Sequence, residues 1–286
     1  MRNWLALPVC LLVTACIPPS PDYPSDAAPK LATDMDLVFD ERPVWEQNPV
    51  ANDGALGGEG VHIVKAGETG IGIARAYGVP WSTIVDANGL SEPYILKIGQ
   101  RLSVAKQENL SLEDRAAAFK LDIDDILTGG EPAQEANAAI VAPNLPQGRP
   151  LPPGVAVGEP SRFAGGFIWP AQGRLITRFG PAGEGEINQG IEIATGPSAP
   201  VKAASDGVVA FVGNNIGLLG GTILIRHGNG WITAYGRAAK TIVTRGQSVK
   251  RGEIIGATGS GAGPKLYFEM RKGRVPVDPL RQLPPV

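Results

Sequence analysis

A chain of 286 residues with 26 Lys and Arg against 28 Asp and Glu carries a formal net charge of -2. That balance gives no support to a nucleic-acid partner, which would want a basic face. Gly (38) and Pro (26) are abundant and aromatic residues make up only 6%. Such a composition argues against a long helical bundle and for a mainly β, turn-rich fold with extended linkers. The length accommodates one large or two modest domains.

The N-terminus reads as a targeting signal. Arg2 supplies a short positive region, and Trp4 to Val13 is an apolar run too short to span a bilayer as a mature helix. It ends in Val13-Thr14-Ala15-Cys16, which resembles a lipobox, where bacteria attach lipid to the Cys and cut before it. Residues 1–15 are then a lipoprotein signal peptide and Cys16 is the lipidated residue. A lipid anchor of two or three chains holds a protein at a membrane, since each buried methylene contributes about 0.8 kcal/mol. Ile17, not Asp, follows the Cys. By resemblance to enterobacterial sorting, this favours the periplasmic face of the outer membrane. Cys10 and Cys16 are the only cysteines, so a chain processed at Cys16 forms no internal disulfide. Residues 16–60, rich in Pro, Asp, Ala and Gly with no sustained period, read as a disordered tether.

Residues 61–105 form a compact pattern. A strand over Val61 to Val64 meets a turn at Ala66-Gly67, and a helix with Ile71, Ala74, Ala76 and Tyr77 stops at Gly78 and Pro80. A second helix, capped by Ser82, carries Ile84 and Val85 and ends near Asn88-Gly89. A last strand holds Leu102 and Val104. This β-α-α-β order resembles a LysM domain, through the G-E-T turn, the I-A-x-x-Y-G-V helix end, the N-G-L turn and the I-G-Q-x-L strand entry. The resemblance implies binding of N-acetylglucosamine-containing glycans, hence peptidoglycan, between two loops. These are Gly67, Glu68, Thr69 and Gly70 on one side, and Leu90, Ser91, Glu92, Pro93, Tyr94, Ile95 and Leu96 on the other. Where the family often has D-T-L, this chain has Glu68-Thr69-Gly70, and Gly70 removes a side chain from the sugar site. His62 reads as a plain strand residue.

Residues 106–165 read as a linker enriched in Ala, Pro, Gly and Glu. Within it Leu112, Ala116, Phe119, Ile123 and Ile126 recur with helical spacing, predicting an amphipathic helix over 111–128 with Ser111 as N-cap and Gly129-Gly130 as stop. LDIDDIL also faintly resembles the second LysM helix. A helix this short is marginal in water unless it docks. Residues 131–162 read as flexible or polyproline chain.

Residues 166–284 are dense in short alternating runs broken by Gly, Pro or Asn, among them Gly207 to Val212, Thr222 to Arg226, Trp231 to Tyr235 and Leu266 to Met270. That spacing predicts antiparallel β-sheets. Seven ordered segments, from FIWPAQGRLITRFG through GPKLYFEMR to VPVDPLRQL, resemble a lysostaphin/LytM-type zinc peptidase. In the active family the zinc ligands align with Asn188, Glu192 and Tyr267, and two further catalytic histidines with Arg237 and Lys265. Zinc requires His, Cys or carboxylate ligands with an open position for water. Only Glu192 qualifies, and the chain holds just two His, His62 outside this domain and His227 at a position outside the zinc set. The reading is therefore a degenerate domain with no metal, cofactor or catalytic residue. A carboxylate left behind by a lost dication needs other compensation. Lys265 or Arg237 is expected within about 4 Å of Glu192 as an ion pair, with Tyr267 hydrogen-bonding Asn188 or Glu192.

Lipobox, LysM and degenerate LytM in this order resemble division lipoproteins of the NlpD type. The resemblance implies a non-enzymatic activator of periplasmic N-acetylmuramoyl-L-alanine amidases, with a lipid-anchored peptidoglycan tether as the alternative. In a related activator a helix blocks the amidase-binding surface, which gives the helix over 111–128 a regulatory role by analogy only.

Overall fold

The structure, a computed structural model, describes residues 43–47, 50, 60–104 except 93, 121–136, and 151–285 except 152, 153, 161, 164, 184, 217 and 218. The signal peptide, Cys16, nearly all of the tether, Pro93 and the predicted helical positions 111–120 lie outside the described residues. Among the described residues no helix is long and apolar enough to cross a membrane.

The small module has the expected order. Strands β1 (Val61–Ile63) and β2 (Arg101–Ser103) pair antiparallel, with His62 opposite Leu102. Between them lie α2 (Gly70–Tyr77) and α3 (Trp81–Asn88), after a four-residue helix α1 (Val44–Gln47) in the N-terminal segment. Thr69 caps α2 by accepting from the Gly72 N–H, and Gly78 ends it in the left-handed conformation that a residue without Cβ adopts freely. Ser82 does not cap α3. The helix begins at Trp81, two residues earlier than that cap implies, with Pro80 in the cap position at φ -58, ψ 141 and no side-chain cap.

The C-terminal domain is an eight-stranded antiparallel sheet in the order β12-β8-β9-β10-β14-β6-β3, with β15 also on β14. Its strands are β3 (Arg174–Thr177), β6 (Ile191–Ala194), β8 (Gly207–Ile216), β9 (Gly220–Gly228), β10 (Trp231–Gly236), β12 (Ser248–Val249), β14 (Lys265–Lys272) and β15 (Val275–Val277). A three-stranded sheet of β11 (Ala238–Thr241), β13 (Ile254–Thr258) and β7 (Pro200–Lys202), in that order, and a hairpin of β4 (Gly180–Gly183) and β5 (Glu186–Asn188) complete it. Side chains alternate faces along a strand. Ile223, Ile225, Tyr235, Leu266, Phe268 and Met270 therefore fill the main core on one face. The other face presents Leu224, Ile232, Ala234 and Tyr267.

That second face is covered by the linker. Helix α4 (Ile123–Gly129) carries the C-terminal part of the predicted helix and has its own N-cap, Asp122, reciprocally bonded with Asp125 in a capping box; Ser111, the predicted cap, lies outside the described residues. Ile123, Ile126 and Leu127 pack with Ala210, Phe211, Leu224, Ile232 and Ala234. Trp45 stacks on Phe211 with ring centroids 5.3 Å apart. On its other side α4 meets the LysM module, where the Trp81 Nε1–H donates to Thr128 Oγ1 at 3.0 Å.

Of the chain after α4 that reads as flexible, the described parts on either side of 137–150 are docked. Glu131 pairs with Arg245 and with Arg226 and accepts from the Val157 N–H, and Ala156 and Val157 are buried. Residues 40–286 consequently form one compact unit. The pattern of Ala, Pro and Gly that resembles a linker here supplies small residues that fit between two larger bodies.

Burial, and then the charge of Asp122, raise Asp125 from 3.8 to about 6. A carboxyl with a raised folded pKa binds its proton more tightly in the folded state. The stability that α4 contributes is thus greatest below pH 3.8 and declines as pH rises to about 6. The urea midpoint of the unaltered chain, taken relative to Asp125→Asn, should fall across that interval.

Candidate functional site

Of the predicted peptidase-site residues, Glu192, Lys265 and Tyr267 lie on the α4-facing side of the main sheet, Arg237 follows β10, and Asn188 is on the separate β4–β5 hairpin. Glu192 on β6 lies between Tyr267 on β14 and Thr177 on β3, its register partners on either side. Its carboxylate takes three groups. Lys265 Nζ reaches Oε2 at 2.9 Å, Arg237 reaches Oε1 at 3.0 Å, and the Thr177 hydroxyl donates to Oε2 at 2.9 Å. The Glu192 side chain is 13% exposed, against 34% for Lys265 and 37% for Arg237. This is a half-sheltered triad and not a set of charges waving in solvent. Burial opposes ionisation of Glu192. Hydrogen bonds from Lys265 and Thr177 and the charges of Lys265 and Arg237 outweigh it, and the carboxyl is held below its ordinary range.

Arg237 follows the end of β10 with φ +64, in the left-handed region that side-chain-bearing residues seldom enter. Its N–H donates to the Leu219 carbonyl at 2.6 Å, which holds the turn. The backbone strain, of order 1–3 kcal/mol for such a residue, is borne at the position that delivers the guanidinium to Glu192.

Asn188 and Tyr267 do not join the triad. Asn188 Nδ2 donates to the carbonyls of Arg178 and Gly190, each at 2.8 Å, and so ties down the loop after β5. The Tyr267 hydroxyl donates to Glu269 Oε2 at 2.6 Å and not to Asn188 or Glu192. The reason is alternation: Tyr267 and Glu269 are two apart on β14 and share a face. Gly190 makes room for the ring, since a Cβ there would come within 3.0 Å of the phenol oxygen.

Sequence reasoning missed what Glu269 begins. Arg271 Nε donates to Glu269 Oε1, and its other nitrogens reach Gln189 Oε1 and Asp124 Oδ1, both at 2.8 Å. Asp124 on α4 also receives Arg274. A polar row thus runs from the triad's edge to the covering helix. Burial drives both Tyr267 and Glu269 upward. The Glu269 charge pushes Tyr267 further, whereas Arg271 opposes the rise at Glu269. The signal in the sequence was the run Lys265, Tyr267, Glu269, Arg271, polar at every second residue of a buried strand.

Zinc, implied by the peptidase resemblance, does not fit this donor set. Glu192 has both oxygens engaged by cations, Asn188 spends its amide on backbone carbonyls, and the Tyr267 phenol is held protonated against Glu269. His227 is on the core side, with Nδ1–H donating to the Asp206 carbonyl and Nε2 accepting from Thr233, each at 2.7 Å. Burial lowers its pKa to about 4, so it stays neutral and structural.

In the LysM module, Glu68 turns inward, its carboxylate 2.7 Å from His62 Nε2 and accepting from the Lys65 N–H. His62 is thereby more than a strand residue, a buried partner also 3.2 Å from the Tyr77 hydroxyl. Gly70 is required by packing, because a Cβ there would fall 2.6 Å from the Trp81 ring. Gly67 lies at φ +80 in the turn, and Leu90 and Ile95 are half-buried. Leu96 is buried, and Ser91 and Glu92 are exposed. Tyr94 lies under Arg274, with the guanidinium 5.5 Å from its ring.

Because the triad is sheltered, Glu192→Ala should destabilise the protein by about 1–3 kcal/mol at neutral pH, the cost of leaving partly buried polar partners unmatched. A depressed carboxyl stabilises the fold above its unfolded value of 4.5 and loses that contribution as pH falls through the lower folded value. Urea unfolding of the unaltered chain and Glu192→Gln should therefore differ at neutral pH and converge in acid. Equal stability at neutral pH would show that the ion pairs contribute nothing.

Residues 186–279 match the model of Peptidase family M23, and residues 62–105 match that of the LysM domain. The Lipoprotein NlpD/LppB homolog of Pseudomonas aeruginosa is 32% identical over 251 residues, covering 79% of this chain and 77% of that one. The uncharacterized lipoprotein YgeR of Escherichia coli is also 32% identical, over 79% of this chain and 81% of its own. The murein hydrolase activator NlpD of Escherichia coli is 28% identical, over 78% and 67%. With a LysM module and an M23 fold joined in one unit, and this likeness over most of both chains, the protein belongs to the NlpD/LppB lipoprotein family.

Proposed function

We propose that this protein binds peptidoglycan through its LysM module and activates N-acetylmuramoyl-L-alanine amidases during cell division, without peptidase chemistry of its own. The observation that carries this reading is the triad. Where a peptidase of this fold would place its metal, Arg237 and Lys265 close on Glu192 at 3.0 and 2.9 Å. A site rebuilt this way has its carboxylate committed to two cations and not to a metal or a water. The relatives named murein hydrolase activators support the same reading. Activation requires differential binding: the domain must hold the amidase's open state more tightly than its closed one. The sheet face bearing Tyr267, Leu224 and Phe211 is the docking surface in this reading, and α4 now lies across it.

The experiment adds the purified chain to a zinc amidase and dye-labelled sacculi. Dye release should rise well above the amidase alone, and the chain alone should release none. Pull-down with sacculi but no stimulation would replace activation by a tether role. Release without amidase would mean an enzyme.

Lipidation of Cys16 places the protein at the envelope, with the periplasmic face of the outer membrane as the site. Cys16→Ser should move the mature protein from the membrane to the soluble fraction. Unchanged partition would remove the anchor.

A further inference from the structure

The cleft between the two proposed glycan loops of the LysM module is bridged by the chain itself. Residues Glu131 to Gln134 cross it in extended form. Thr69 on one loop forms an antiparallel bridge with Pro132, and Lys97, just past the other, forms a parallel bridge with Gln134. The Ala133 N–H donates to the Glu68 carbonyl at 2.7 Å, and the Gln134 N–H donates to the Leu96 carbonyl at 2.9 Å. The Gln134 carbonyl in turn accepts from the Ile98 N–H at 2.9 Å. Ala133 is 3% exposed and belongs to the LysM core cluster. Chemically the segment presents what an acetamido sugar presents, an amide N–H and C=O beside a small buried methyl.

We propose that residues 131–134 are a built-in occupant of the LysM glycan groove, which a glycan strand must displace. The segment is anchored on the opposite side. Glu131 is held by Arg226 and Arg245 of the C-terminal domain, and Gln134 Nε2 donates to the Gly154 carbonyl at 2.7 Å. It is also continuous with α4, whose last residue, Gly129, packs against Trp81. A sugar that enters the groove therefore pulls on the segment that holds α4 over the C-terminal sheet. Wall binding and uncovering of that face become one equilibrium. The inference rests on the reading of that face and groove as partner and glycan sites.

The test uses the chain from residue 17 onward, which contains the whole compact unit 40–286 and neither native cysteine. Ala133→Glu places a carboxylate in the methyl's slot and expels the segment, and Glu131→Lys does so from the other end, against two arginines. Lys97→Cys with Gln134→Cys locks the segment in place, since facing positions of a bridge lie within disulfide reach. Titration with the N-acetylglucosamine tetramer should show the opened variants binding at least about tenfold more tightly than the unaltered chain, as when the competent state is about one-tenth populated. The oxidised double-cysteine chain should lose binding and regain it on reduction. Saturating tetramer should also raise hydrogen exchange across Ile123–Gly129 in the unaltered chain. Equal affinity in the unaltered, opened and oxidised chains, or no binding by the opened variants, would overturn the proposal. None of these readouts contains an amidase. Failure of the stimulation assay would thus sink the activation reading alone, and equal affinities would sink this one alone.

Discussion

One strand imposes the constraint from which the rest of the molecule follows. β14 puts Leu266, Phe268 and Met270 into the core, and the same alternation forces Lys265, Tyr267, Glu269 and Arg271 onto the opposite face. That face is also sheltered, so each of these groups must find a partner or forfeit its hydration. Lys265 turns to Glu192, Tyr267 and Arg271 share Glu269, and the remaining guanidinium donors reach Gln189 and Asp124. The last contact is the one that fastens α4. The linker is thus held by apolar contacts from Ile123, Ile126 and Leu127 and by the need of a buried arginine for a second carboxylate. Removing one member of such a row would leave a charge uncompensated, which costs more than the pair itself contributes.

Much of this was legible in the residues. The order of strands and helices in the LysM module, the antiparallel C-terminal sheets and the meeting of Arg237, Lys265 and Glu192 could be read from turn signals, alternation and charge substitution. Other features could not. Tyr267 was expected to face Asn188 or Glu192, because aligned ligand positions converge on a metal. Without the metal, nothing draws them together, and the nearest acceptor along the strand wins. The linker was read as flexible because Pro, Gly and Ala lack a period. A segment buried between two bodies needs none, since its contacts are non-local and its backbone satisfies itself against loops distant in sequence.

The LysM module shows the same limit. Glu68 and Gly70 look like sugar-facing substitutions when only the loop pattern is considered. In the fold, the Glu68 carboxylate lies 2.7 Å from the ring of the buried His62, and Gly70 gives way to an indole. Loop chemistry and core chemistry share these residues, and packing assigns them first.

That indole, Trp81, is enclosed by two glycines. A Cβ on Gly70 would approach its ring at 2.6 Å, and one on Gly129 would approach Nε1 at 2.7 Å. The first glycine belongs to the small module and the second to the covering helix, so one aromatic ring is the shared interior of two elements far apart in the chain. Thr128 accepts its only polar hydrogen. Parting the helix from the module therefore wets that indole edge and returns its N–H to solvent, and it exposes Ile71, which shares the apolar cluster of Ile123, Ile126 and Leu127. The ring sits where the two elements meet, so its fluorescence reports on that event.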